Sequence, residues 1–442
     1  MFYKKIIFTF FLIFVHGLFF SQIEKENEIE NVVIQGVKKY KNKKENPAYA
    51  IMREVWKRKK SNGLQLHKDY QYKTYEKIDF RLDNIDSAFT KKRAFKGMDS
   101  ILFKYNDSSE IAGKAVLPIF ITESIFQTYG KNNPQKERKD LIATRLSGLQ
   151  NNQIVTKTIQ NMYKEINIYD NTINYLNIGF VSPVSTDGFD VFDYNITDTI
   201  DINTVKSYEI RFTPKNPDAL ALKGRLYISM DQYNVTKVEM QTNKNININF
   251  VKSIATDLEF DNPDDSTFIP TRNETVLHLV TNNKEKAKSM IARRVANYSE
   301  YQFDKGLTDD FLNEIVIPMD EAVNKNEEFW TANRTEILTE SDQNIYKMYN
   351  ELEDNPKYQR IIKTIEIINS GYFNVGGGID IGNIFQTFVY KEIKEVRLRA
   401  GFRTYRGKHD MWRIQAYTAY GFRDQKWKYG TEAKYMFNKT NR

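Results

Sequence analysis

Val396-Arg397-Leu398-Arg399-Ala400-Gly401-Phe402-Arg403-Thr404-Tyr405 alternates with a period of two. Val396, Leu398, Ala400 and Phe402 share one face of a strand; Arg397, Arg399, Gly401 and Arg403 share the other. Met411 to Tyr420 repeats the pattern, with Trp412, Ile414, Ala416 and Tyr420 against Arg413 and Gln415. Trp427 to Phe437 does so again: Trp427, Tyr429, Ala433, Tyr435 and Phe437 oppose Lys428, Glu432 and Lys434. Successive side chains of a strand point to opposite sides, so each segment predicts one apolar and one charged surface. Segments of about ten residues, apolar outside and polar inside, with aromatics near their ends, are the pattern of an outer-membrane β-barrel. The lipid-facing residues of such a barrel would be Val396, Leu398, Phe402, Trp412, Ile414, Tyr420, Trp427, Tyr429, Tyr435 and Phe437. The alternative is a soluble antiparallel sheet with one wet face.

The amino end predicts export. Lys4 and Lys5 precede an almost wholly apolar run, Ile6 to Phe20, then Ser21, Gln22 and the acidic stretch Ile23 to Glu30. This reads as a secretory signal peptide over residues 1–21, too short for a membrane helix. The chain has no cysteine, which excludes disulfides, thiolate metal sites and a lipidated amino-terminal cysteine. Any anchor must therefore be the barrel. The 14% of aromatic residues suits strands and membrane girdles. The net charge of +8 is concentrated in Lys38 to Lys44 and Arg53 to Lys60. Such runs fit an anionic surface or, more simply, a solvated helix face.

Along the mature chain, residues 22–46 form a polar lead-in. Residues 47–305 read as a β-rich periplasmic domain opened by a helix. Asn46 caps that helix and Pro47 fits its first position, where a missing N–H costs nothing. Ala48, Ile51, Met52, Val55 and Trp56 make its apolar face. Strands follow around Tyr70 to Phe80, Val116 to Tyr129, Tyr208 to Phe212, Asn245 to Phe250, Thr256 to Phe260, Thr271 to Val280 and Met290 to Tyr301. Gly224 to Ile228, the turn Asp231 to Asn234, and Val235 to Met240 predict a hairpin. Only Asp140 to Gln160 suggests a helix. Residues 306–370 read as a helical connector. There Thr339 and Asp342 resemble a capping box before Ile345, Met348 and Leu352, while Asn355-Pro356 opens a helix that Gly371 ends. Barrel-like sequence occupies 371–442. The expected fold is mainly β: a curved antiparallel sheet with helices, then an incomplete outer-membrane barrel.

The stretches Asn46 to Arg53, Tyr70 to Ile78, Pro118 to Ser124, Ala143 to Gly148, Tyr208 to Pro214, Lys223 to Ile228, Glu328 to Trp330 with Arg334 to Thr339, and Arg397 to Thr404 resemble a Bacteroidota outer-membrane family of unknown function. Members of that family usually accompany a carboxypeptidase-regulatory-like domain. The resemblance runs from about residue 46 onward and implies a periplasmic β domain before an outer-membrane barrel, without implying an activity. Its implied partners are outer-membrane lipid and the barrel-assembly machinery. Two departures stand out. Only Val32 to Gly36 could be a remnant of a regulatory-like domain, and the sequence ends on Asn438 to Arg442 instead of a terminal aromatic. Three to five strands enclose no lumen, since single-chain barrels use about eight or more. The expectation is therefore a piece of a longer polypeptide, or a barrel shared between subunits.

In the middle of the chain, the strand Gly224-Arg225-Leu226-Tyr227-Ile228, a turn and Val235-Thr236-Lys237-Val238-Glu239-Met240 resemble the lipoprotein-carrier fold, which shuttles lipidated proteins. That similarity implies an apolar groove for a lipid or lipoprotein ligand, lined by Tyr72, Phe120, Ile125, Phe126, Tyr208, Phe212, Leu226 and Ile228. The simpler reading is that the same residues form a closed core.

Catalytic signals are sparse. His67, His278 and His409 are far apart and none has a metal-ligand partner at helical spacing. Gly376-Gly377-Gly378 is followed by no lysine and is not a phosphate loop. Asp187, Asp190 and Asp193, or Asp261, Asp264 and Asp265, lack the spacing of a calcium loop and read as acidic turns. No Gly-x-Ser-x-Gly elbow is present. No cofactor, metal or catalytic residue is expected, although paired acids keep a hydrolase as a third reading. The pI of about 9.0 invites nucleic acid, which the export signal argues against. The sequence thus points to a non-enzymatic outer-membrane protein in transport, assembly or surface structure, with a lipid carrier as the alternative.

Overall fold

The computed structural model describes residues 45–83, 91, 96–105, 116–147, 163–243, 251–262, 268–280, 289–314, 322, 325–391, 395–405, 411–423 and 425–435. The signal peptide, nearly all of the lead-in, the strand expected at Asn245 to Phe250, His409 and Phe437 lie outside the described residues. The side chain of Val396 is also outside them. The chain divides into two compact units, split between Glu351 and Leu352.

The first unit opens on helix α1 (Pro47–Arg58). Asn46 caps it as its sequence requires: its Oδ1 accepts from the Ala48 N–H at 3.0 Å, and its Nδ2 donates to the Tyr194 carbonyl at 2.7 Å. Ala48, Tyr49, Ile51, Met52 and Val55 turn inward. The core of this unit is a ten-stranded antiparallel sheet. In chain order its strands are β1 (Asp69–Asp83), β2 (Val116–Asn132), β3 (Gln135–Leu146), β6 (Phe192–Ile202), β7 (Val205–Pro214), β8 (Leu222–Ser229), β9 (Val235–Thr242), β10 (Val251–Asp261), β11 (Ile269–Val280) and β12 (Ser289–Phe303). The spatial order is β3-β2-β1-β12-β11-β10-β9-β8-β7-β6. A small hairpin, β4 (Thr172–Tyr175) with β5 (Ile178–Val181), stands apart from it. The short helices α2 (Asp99–Lys104) and α3 (Gly188–Val191) interrupt the strands.

The β8–β9 hairpin forms where the turn residues predict it, with Tyr233 at a φ of 58°. Gly224 is fixed by close approach. A Cβ there would lie 1.9 Å from the Glu239 carbonyl oxygen. The helix expected from Asp140 is corrected. Asp140 to Leu146 is the second half of strand β3, with Leu141 opposite Phe126 and Ala143 opposite Ile125. An edge strand carries charge on its open side, and that charge obscured the period of two. Residues 148–162 lie outside the description.

Alternation along β1 gives the sheet two distinct faces. Ile78 and Phe80 join the large apolar cluster under α1, whereas Tyr75, Lys77, Asp79 and Arg81 point to the back. Three helices, α4 (Asp309–Asn313), α5 (Glu327–Asn333) and α6 (Glu340–Glu353), follow the sheet in sequence. The segment expected as a connector is thus divided between the units. On the back face α5 seats Trp330, 1% exposed, against Tyr75, Ile125 and Ala143. The capping box forms: the Asp342 N–H donates to Thr339 Oγ1, and the Thr339 N–H to Asp342 Oδ2, both at 3.1 Å. Asp342 also meets Lys77 Nζ at 2.8 Å and Arg81 Nη2 at 3.0 Å.

The second unit begins with α7 (Pro356–Ser370), capped by Asn355 and closed by Gly371 at a φ of 77°. Strands β13 (Tyr372–Asn374), β14 (Ile379–Gly382), β15 (Phe388–Lys391), β16 (Glu395–Thr404), β17 (Trp412–Gly421) and β18 (Lys426–Tyr435) form one antiparallel sheet. The three glycines 376–378 take positive φ in the β13–β14 turn.

The Lys77 and Asp342 side chains are 1% and 0% exposed, so breaking their pair strands a buried charge. Asp342→Ala is expected to lower the unfolding free energy by about 3–5 kcal/mol. The double change Lys77→Met with Asp342→Leu, which leaves no orphaned lysine, should cost less. Chemical denaturation of the three proteins measures both; equal losses would contradict the buried-pair account.

Candidate functional site

Two surfaces carry features beyond ordinary packing. The first is the α1-covered face of the large sheet, where a groove was expected. Phe120, Phe212, Leu226 and Ile228 lie at most 6% exposed in one apolar cluster. They pack there with Met52 and Val55 of α1 and with Ile168, Tyr169, Phe180 and Val184 from the segment before β6. Tyr208 sits half-buried at its margin. Ile125 faces the other way, under Trp330, because it and Phe126 are neighbours on one strand and cannot share a face. Phe126 is buried beneath Lys139, whose Nζ lies 4.3 Å from the ring centre.

Toward β1 and β12 this face changes character. Tyr72 packs with Tyr298 and Tyr301, at ring separations of 5.7 and 5.2 Å. Beside them runs a chain of charges absent from the sequence reading. Arg294, 2% exposed, donates through Nε to Glu76 Oε2 and through Nη2 to Glu165 Oε1, both at 2.7 Å. Lys139 Nζ lies 3.2 Å from Glu165, and the Tyr298 hydroxyl donates to Glu165 Oε2 at 2.5 Å. Burial raises the Glu165 pKa, but Arg294, Lys139 and the Tyr298 hydroxyl outweigh it and hold the carboxyl at about 2. On the same sheet face, Thr74 and Thr128 bury Oγ1 atoms without a partner among the described residues, as does the Tyr163 hydroxyl in the segment above it. One signal was readable: Glu76 interrupts the run Tyr72, Thr74, Ile78, Phe80 on its face. Its partner Arg294, 218 residues away, was not.

The second surface is the apolar face of the C-terminal sheet. Phe373, Ile379, Ile381, Leu398, Phe402 and Trp412 are 42–48% exposed. Ile414 is 43% exposed, and Trp427, Tyr429 and Tyr435 are 58–74% exposed. Register places them together: Ile381 faces Phe402 and Tyr420 faces Trp427. Arg397, Arg399, Arg403 and Arg413, on the other face, are half-buried. The layout is the reverse of a water-soluble sheet, which covers its apolar face. Among the described residues no helix is long and apolar enough to cross a membrane, which says nothing about strands.

Candidate chemistry elsewhere is thin. His67 stacks on Phe303 and meets Asp304 Oδ2 at 3.2 Å; His278 meets Ser289 at 2.9 Å. Asp193 accepts from the Tyr49 hydroxyl at 3.2 Å. Asp264 and Asp265 lie outside the described residues. No group of three metal-ligating side chains occurs among the described ones.

Because the Glu165 carboxyl is held at about 2, below its ordinary 4.5, it contributes stability that is complete above about pH 4.5. That contribution disappears as the pH falls toward 2. Glu165→Gln should therefore be less stable than the parent at neutral pH, with the difference shrinking across that acid window. Denaturant midpoints measured at several pH values give the comparison; a constant difference would refute the assignment.

Several solved structures are similar to this chain. A DUF1329 family protein from Desulfovibrio piger is 12% identical, covers 61% of this chain and 98% of its own, and gives a TM-score of 0.25. An outer membrane lipoprotein-sorting protein domain from Vibrio parahaemolyticus is 10% identical and covers 60% and 97%, with a TM-score of 0.24. A LolA superfamily protein from Nitrosomonas europaea is 10% identical and covers 60% and 97%, with a TM-score of 0.23. No curated protein matches the sequence. The profile of the family of unknown function DUF5686 matches residues 51–298, more than half of the sequence, and the chain belongs to that family.

Proposed function

We propose that this is an envelope protein of the outer membrane, of the Bacteroidota kind, whose C-terminal sheet meets lipid with its apolar face. Its role is structural or transport-related and non-enzymatic. The observation that carries this reading is the inverted layout of β16 to β18: the aromatic and aliphatic side chains face outward and the arginines are half-buried. Strands of ten residues match the roughly 9–11 that span a bilayer at a tilt. Trp412, Trp427, Tyr429 and Tyr435 suit the interfacial belt, where an amphipathic ring sits between headgroup and hydrocarbon.

A second reading concerns the first unit. Its tyrosine-lined, charge-tipped face and the unpartnered hydroxyls of Thr74, Thr128 and Tyr163 suit a ligand with a polar head, as a lipid or lipoprotein has. The apolar cluster beside them is closed, so an acyl chain would need space that side chains now fill.

The purified protein, mixed with phospholipid vesicles and floated on a density gradient, should rise with the lipid and resist alkaline extraction. Phe402→Lys and Ile414→Lys place charge on the lipid face. Each should cost about 2–4 kcal/mol near the midplane and fewer kcal/mol near the interface, and each should reduce the floated fraction. Wild-type protein that remains at the bottom of the gradient would end this reading.

A further inference from the structure

The charged face of the C-terminal sheet is unbalanced. Arg397, Arg399, Arg403, Arg413, Lys426, Lys428 and Lys434 share it in register, against the acids Asp380, Glu395 and Glu432. Asp380 and Glu432 are engaged. Asp380 accepts from Arg403 Nε at 3.0 Å and Nη2 at 2.9 Å, and Glu432 lies 3.1 Å from Lys434 Nζ. Arg397, Arg399 and Arg413 make no ion pair among the described residues, and the Nε of each is buried without a hydrogen-bond partner. They are held by rings instead. Arg397 and Arg399 lie 5.9 and 3.6 Å from the Tyr417 ring centre, and Arg413 lies 5.1 Å from that of Tyr405.

This arrangement is costly without a counter-anion. Like charges on alternate residues of one strand are roughly 6.6–6.8 Å apart, close enough to repel, and partial burial weakens the screening by water. Stacking on tyrosine orients a guanidinium plane while leaving its outer edge able to donate in a fork, the geometry that matches phosphate. Rows or rings of Arg and Lys are how protein passages favour anions and phosphate. We propose that this face binds free multivalent phosphate-bearing anions, with Arg397, Arg399 and Arg413 as the donors. The proposal deepens the membrane reading, in which this face is the watery side of a lipid-embedded sheet.

The test uses the full chain in detergent, with inorganic tripolyphosphate as the probe. Phenylglyoxal labels accessible arginines, and mass spectrometry reads each site. Tripolyphosphate should slow labelling of Arg397, Arg399 and Arg413 several-fold and leave exposed Arg225 unchanged. Calorimetric titration should show binding that the triple change Arg397→Gln, Arg399→Gln, Arg413→Gln weakens by about ten-fold or more. Absence of both protection and binding heat in the wild-type protein would overturn the proposal, as would binding undiminished in a folded triple variant. The protection experiment needs no substitution, so it decides even where the triple variant misfolds. Protein that is protected yet fails to float with vesicles keeps this site and discards the membrane reading. Protein that floats but shows neither protection nor binding heat discards this site alone.

Discussion

Every strand has two faces, and each face must find a cover that suits it. This constraint organises both units. In the ten-stranded sheet, the face bearing Ile78, Phe80, Phe212 and Leu226 is apolar and is covered by α1 and the Ile168–Val184 stretch. The back bears Tyr75, Lys77, Asp79 and Arg81, and its cover comes from α5 and α6. In the C-terminal sheet the same alternation operates, but the described residues cover the apolar face with nothing from the chain. The first unit resolves the constraint internally; among the described residues the second leaves it open.

The back of the large sheet is rich in buried charge. Glu123, fully buried, accepts from the Tyr75 hydroxyl at 2.8 Å, the Tyr346 hydroxyl at 2.7 Å, and Arg334 Nε and Nη2 at 2.6 and 2.9 Å. Burial raises its pKa, yet Arg334 and the two hydroxyls outweigh burial and keep it below the ordinary range. Arg272, Arg293 and Glu274 continue the network along β11 and β12, and Glu336 joins Arg272 at 3.3 Å. Removing charges from water offsets most of what such pairs gain, so their main effect is on geometry. A helix shifted by one turn would leave several of these groups unpaired. Apolar packing alone would tolerate that shift better.

What the sequence made legible follows the range of the interactions involved. Asn46-Pro47, the Thr339–Asp342 box, Asn355-Pro356 and Gly371 all act within four residues, and each does in the structure what its chemistry dictates. The hairpin at Asp231 to Asn234 and the alternation of β16 to β18 are equally local. Strand β3 was obscured because an edge strand need not bury either face fully. The pairing of Ile125 with Phe126 on one groove wall broke the period of two, and the structure separates them. The charge chain Glu76–Arg294–Glu165 was beyond reach, because Glu76 and Arg294 meet only once β1 has paired with β12. Alternation announces that a face exists; it does not say which distant residue completes it.

The exposed face of β16 to β18 then becomes a question of magnitude. Fully burying a large apolar side chain is worth roughly 1.5–3 kcal/mol, and this face presents Leu398, Phe402, Trp412, Ile414, Trp427, Tyr429 and Tyr435 at 43–74% exposure. Half of that burial, summed over the group, is about 5–10 kcal/mol, comparable with the whole net stability of a domain. A water-soluble sheet would gain that amount by folding a helix or second sheet across this face, as the first unit does. A bilayer offers the same gain over the whole face at once and asks only that charge be kept to the other side. The strands meet that condition: their described charged side chains are confined to the opposite face. A protein partner would need a matching apolar surface of its own, but it would place no such demand on every strand. On the proposed reading, the segregation of charge across three consecutive strands is what a lipid surface demands of them.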